Sequence, residues 1–119
     1  MKNVLLLSGD RHFTAGLQVD ERFIEICSGP IGSPNAPAKV MPGMFSLHDH
    51  GKMICVFDID TAGAQPAVAL ETYEAGVGLV EKRKFTWDEV TGVAKIPPLP
   101  PGYQTPTMRE SAAKAVKPQ

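Results

Sequence analysis

The chain has 119 residues, 43% of them hydrophobic and 21% charged, which is ordinary usage for one small globular domain with a modest core. Twelve basic and thirteen acidic residues give a net charge of -1, so there is no concentrated positive charge to hold nucleic acid or an anionic membrane surface. No run reaches the roughly 18 to 20 apolar residues a membrane-crossing helix takes, and the two cysteines, Cys27 and Cys55, do not make a disulfide framework.

The first apolar run, Val4-Leu5-Leu6-Leu7, stops at Ser8-Gly9-Asp10-Arg11-His12. Four apolar residues are too few for the core of a secretory leader, so residues 3–8 read as a strand. No other segment fixes a compartment. Ligands collect beyond the carboxyl ends of strands, where glycine frees the backbone and polar side chains project together. Asp10 and His12 are therefore the candidate metal ligands. Arg11 is the candidate for phosphate oxygens, because a guanidinium matches them bidentately, although regular strand geometry turns it away from its two neighbours.

A second strand is expected over residues 23–28. From Gly29 to Gly51 the expectation is a long irregular loop, since Pro30, Pro34, Pro37 and Pro42 interrupt ladders and Gly32 and Gly43 permit tight bends. Loops of this length are often functional or disordered, and the alternative is a surface connector. His48 and His50, two residues apart, would share one side of an extended strand with Asp49 on the other. That spacing suits zinc, yet two ligands do not close a site, and the alternative is a pair of histidines in a polar loop.

Three further strands are expected at residues 52–60, 67–73 and 79–85, linked at Asp60-Thr61-Ala62-Gly63 and Glu74-Ala75-Gly76-Val77-Gly78 into an antiparallel meander. Val56, Asp58 and Asp60 would lie on one face, Phe57 and Ile59 on the other, leaving one wet side. Beyond Asp88 the run Ile96-Pro97-Pro98-Leu99-Pro100-Pro101-Gly102 favours polyproline II, so residues 89–119 read as a flexible Pro-rich tail. Thr107-Met108-Arg109-Glu110 has the form of a capping box for a short helix near 108–116, and Trp87 is expected to anchor the end of the sheet. The fold class is thus mainly β with irregular loops, and unpaired strand edges would recruit a partner chain or a second copy.

Three segments of this chain follow one another in a recognisable order: Leu7-Ser8-Gly9-Asp10-Arg11-His12-Phe13, then Phe23-Ile24-Glu25-Ile26-Cys27-Ser28-Gly29-Pro30-Ile31, then Gly51 leading into Val56-Phe57-Asp58-Ile59-Asp60. In this the chain resembles the C-terminal end of PhoD-like phosphatases, relatives of alkaline phosphatase D within the calcineurin-like metallophosphoesterases. The last metal-binding motif of the wider superfamily reads Gly-His-x-His, and here Asp10 and His12 occupy the two histidine positions, as in the PhoD-like variant. The resemblance implies that residues 1–88 are the C-terminal portion of a four-layer α/β sandwich, with Asp10 and His12 as metal ligands and catalytic residues. It implies Fe, Ca, Mn or Zn as cofactor and a phosphate ester as substrate, hydrolysed by a metal-activated water, and it sets the loop from Gly29 to Gly51 on the active-site side, where Pro30, Asn35 and His48 would face that substrate. The family's Asp-x-His, bridging Asp, Asn-His pair and further His do not precede Val4. The expectation is therefore a fragment, from a truncated reading frame or completed by a separately encoded remainder, and inactive alone. The alternative is a non-catalytic β-rich domain that pairs with a partner chain.

Overall fold

The computed structural model describes residues 4–9, 11–20, 23–32 and 34–116. Among them are seven strands: β1 (Leu5–Ser8), β2 (Thr14–Val19), β3 (Phe23–Cys27), β4 (Met44–His48), β5 (Met53–Asp60), β6 (Ala67–Glu74) and β7 (Gly78–Phe85). Two helices follow, α1 (Trp87–Thr91) and α2 (Pro106–Val116). The first four strands form a sheet in the order β1-β3-β2-β4, and the last three form the meander β5-β6-β7. The chain is mainly β, as its composition and alternation imply.

β1 runs parallel to β3, whereas β2 lies antiparallel to both β3 and β4. β2 and β4 are the two elements that depart from the expected pattern, β4 interrupting what reads as one long loop. Their physical reason is coverage on both faces. Every residue of β2 but the last is buried, and so is every residue of β4 but His48, so neither shows the period of two that a half-wet strand displays. Gly16 of β2 is required by packing: a Cβ there would meet the Phe45 ring at 2.5 Å. Where Phe45 crosses this glycine, the β2–β4 register shifts between Gly16 and Leu17.

Two hydrophobic clusters lie on the two sides of the four-stranded sheet. On one side Ile24, Ile26 and Phe45 meet Val68, Leu70 and Phe85 of the meander, with Val90 of α1, Ile96 and Trp87 closing the end. Phe45 and Phe85 pack edge to face, centroids 5.6 Å apart. On the other side Phe13, Ala15, Leu17, Met44 and Leu47 are covered by Ala38, Met41, Leu99 and Met108. The covering layer is thus built from the irregular segment before β4 and from the Pro-rich segment with α2.

The Pro-rich segment read as a tail therefore docks. The Leu99 N–H donates to the Met44 carbonyl at 2.8 Å, Ile96 is buried, and Gln18 holds the chain at Ala94 and at Ile96. Gln18 Nε2 donates to the Ala94 carbonyl at 2.9 Å, and its Oε1 accepts from the Ile96 N–H at 2.9 Å. α1 is opened by a capping box of Thr86 and Glu89 and closed by Gly92 in the left-handed conformation. α2 begins at Pro106, with the Thr105 hydroxyl accepting from the Met108 N–H at 3.1 Å. The cap is thus Thr105, with proline at the first helical position, and Thr107 and Glu110 lie within the helix. Among the described residues no helix is long and apolar enough to cross a membrane.

On the meander, Val56, Asp58 and Asp60 are exposed as the alternation implies, while Phe57 is partly buried and Ile59 emerges beyond the core. Leu6 and Leu7 of β1 are 42% and 64% exposed. β1 pairs only through β3, so its outer edge is open among the described residues.

Candidate functional site at the carboxyl end of the four-stranded sheet

Strand directions bring the chemistry-bearing loops to one end. β1 and β3 are parallel and finish together at Ser8 and Cys27, β2 starts there at Thr14, and β4 finishes there with His48 opposite Thr14. Hydrogen bonds stitch these loops. The Ser28 N–H donates to the Ser8 carbonyl at 2.8 Å, and the Thr14 hydroxyl donates to the Gly29 carbonyl at 2.9 Å. The Ala36 N–H donates to the His12 carbonyl at 3.0 Å, and Asn35 Nδ2 donates to the Gly51 carbonyl at 2.9 Å.

His12 stands exposed at this end with φ of 58°, a conformation uncommon for a residue with a Cβ. Asp10 lies outside the described residues. Arg11 turns aside: its Nε lies 4.0 Å from Glu25 Oε1, and its guanidinium donates to the Met41 sulfur at 3.5 Å. Pro30 follows a cis peptide and is buried. Asn35 is partly buried beside Gly51.

The two later histidines turn to different carboxylates. His48 Nε2 meets Glu81 Oε1 of β7 at 3.0 Å, whereas His50, in the turn after β4, sits 3.4 Å from Glu74 Oε1 and 3.8 Å from Asp49 Oδ1. Among the described residues no group of three or more His, Cys, Asp or Glu side chains is disposed to hold a metal.

Glu81 is the residue whose role the sequence hides most completely. Its Oε1 accepts from the Ser46 hydroxyl at 2.5 Å as well as from His48, and Arg83 Nη2 lies 3.3 Å from its Oε2. Desolvation alone would raise this carboxyl. The hydrogen bonds from His48 and Ser46, with the charges of His48 and Arg83, outweigh it and bring the pKa down from 4.5 to about 2. Arg83 also lies over the Phe45 ring at 4.9 Å. The group ties β4 to β7 across the two sheets. It is not arranged for nucleophilic catalysis, because Ser46 donates to the carboxylate and not to the imidazole.

Asp49 is the second hidden residue. It is buried, and its Oδ2 accepts from the Thr105 hydroxyl at 2.8 Å, which places a carboxylate at the start of α2. The chain matches no family model, no curated protein and no solved structure.

Proposed function

We propose that this chain is the C-terminal portion of a PhoD-like metal-dependent phosphatase, part of a metallophosphoesterase-like sandwich, acting on phosphate mono- or diesters once the remaining ligands are supplied. The observation that carries the reading is the position of Gly9 and His12. They follow the carboxyl end of a parallel strand whose outer edge is open, at the end of the sheet where the other loops gather. Backbone conformations such as that of His12 cluster at functional sites.

In this reading His12 and Asp10 supply side chains to a metal, and bound metal would polarise the ester and lower the pKa of a water. An exposed imidazole suits that role, because it stays reachable by ligands from outside the described residues. His48 faces Glu81 and contributes to the sheet contact, and Arg11 stays with Glu25 until a phosphate draws it away.

The test is a titration of the purified chain with Mn2+ while histidine ring signals are followed by NMR, beside its rate on a generic phosphate ester. Broadening of the His12 ring at lower metal than His48 or His50, abolished in Asp10→Ala and accompanied by no turnover, is expected. Broadening confined to His48 and His50, or none, would sink the metal reading. Turnover that disappears in His12→Ala would show that the chain carries a complete site.

A second reading is favoured by a separate observation. Leu6, Leu7, Ile54, Val56 and Leu79 are large apolar side chains left exposed on two sheets. A non-catalytic β-rich domain covered by a partner chain or by a second copy would need those surfaces.

A further inference from the structure

The outer face of the meander carries its side chains in rows across three strands. Ile54 of β5 pairs with Tyr73 of β6, and Tyr73 with Leu79 of β7; the next rows are Val56, Glu71, Lys82 and then Asp58, Ala69, Lys84. Glu81 and Arg83, the alternate residues of β7, turn inward to Ser46 and Phe45, so Lys82 and Lys84 point out. The first row is apolar and open, with Ile54, Tyr73 and Leu79 53%, 36% and 49% exposed. Beyond it the charges are sorted by strand, Asp58 standing on β5 and both lysines on β7. Among the described residues neither Asp58 nor Lys84 enters an ion pair.

Neighbouring exposed apolar side chains mark interaction surfaces, and here the charges indicate the occupant. If a second copy is laid on this face with a two-fold axis along β6, β5 of each copy crosses over β7 of the other. Asp58 then meets Lys84 at two symmetric places, and Ile54 meets Leu79. An axis across the strands would instead stack β5 on β5 and β7 on β7, acid on acid and lysine on lysine. We propose that the outer face of the meander is a self-complementary interface, occupied by the same face of a second copy with the two-fold axis along β6. The proposal names the occupant that the second reading above leaves open, and it rests on that reading for these surfaces being covered.

Glu71 lies on the axis, opposite its counterpart. Each Glu71 accepts from the Tyr73 hydroxyl and has Lys82 beside it in its own row, and Lys82 of the second copy comes over Val56, so two carboxylates share two ammonium groups. A shallow depression of about 240 Å3 over Ala67 and Ala69 leaves room for the lysine side chains. Strands of eight residues make a face about 26 Å by 14 Å, at ~3.3 Å per residue and ~4.8 Å between strands. That is less than a standard interface covers, so the dimer is weak, with a Kd of about 10–100 μM.

The experiment is sedimentation of the full chain between about 5 and 500 μM, repeated on Leu7→Asp so that association through the edge of β1 is read apart. A monomer–dimer equilibrium that persists in Leu7→Asp is expected. Asp58→Lys and Lys84→Asp each place like charges at both symmetric contacts, so each variant alone should associate about tenfold more weakly. Mixed one to one, the two variants regain both contacts and should associate like the wild type. On the 15N-labelled wild type, the Ile54, Glu71, Tyr73 and Leu79 amides should shift with concentration. A wild type that stays monomeric overturns the proposal, and so does a mixture no tighter than the single variants. The reading of a domain covered by another chain does not fall with either result. Should a variant fail to fold, the wild-type amides decide, and shifts confined to other surfaces overturn the proposal.

Discussion

Glu81→Gln tests the clasp between the sheets. Glutamine keeps an oxygen for the Ser46 and His48 donors but removes the charge that faces Arg83 and holds the network together. A carboxyl brought from 4.5 to about 2 by its folded surroundings corresponds, at 1.36 kcal/mol per decade, to a ceiling of about 3 kcal/mol. The side chain retains 19% exposure, so solvent screening reduces the expected loss to about 1–2 kcal/mol. The group is depressed on folding, so its contribution is complete above the ordinary carboxylate value near 4.5 and is lost as pH falls through about 2. Urea unfolding followed by Trp87, the one tryptophan, reports this directly because that residue packs on the shared core. At pH 7 the variant should unfold at lower urea, and the gap to the wild type should narrow steadily between pH 5 and pH 2. Equal midpoints at pH 7, or a gap of the same size at pH 2.5, would refute the reasoning.

Other substitutions probe the layers around this clasp. Gln18→Met keeps the volume but strips donors and acceptor from the Ile96 N–H and the Ala94 carbonyl, so a loss of about 2–4 kcal/mol is expected. Hydrogen exchange at Ile96 should accelerate in step, and unchanged protection there would show that Gln18 does not hold the segment. Thr105→Val removes both the cap on Met108 and the donor to the buried Asp49, for an expected cost of about 2–3 kcal/mol with reduced helical signal at 222 nm. A helical signal equal to wild type would mean that α2 stands without this contact.

What could be read from the sequence follows from how each element meets solvent. β5 to β7 have one wet face, and their alternation and glycine turns place them within a residue of the observed bounds. β2 and β4 carry almost no alternation because both faces are covered, and the prolines that precede β4 disguise it as loop. The Pro-rich segment docks through isolated anchors, Ile96, Leu99 and Met108, a spacing with no period to detect. A Thr-x-x-Glu pattern occurs at both Thr86 and Thr107, and local sequence gives no means of choosing the one that caps. At the candidate site, the exposed position of His12 beyond β1 is legible from the glycine that ends the apolar run. Glu81 is not, since it lies 33 residues from His48 and its charge reads as one more polar position on a strand.

β1 combines an open edge with exposed apolar side chains. A parallel strand is usually covered on both faces and reads as a continuous apolar run, which Val4-Leu5-Leu6-Leu7 is, yet Leu7 is largely exposed. Leu7→Asp should therefore leave the stability of the isolated chain within about 0.5 kcal/mol, because the backbone pairing to Ile26 is retained and little contact is lost. It should also reduce binding of a hydrophobic dye and any concentration-dependent association measured by sedimentation. A destabilisation above about 1 kcal/mol would mean that Leu7 already serves this chain's own core. If the phosphatase reading is right, the same substitution would block completion by the remaining part of the architecture, because the residue would then be buried with a charge and no partner.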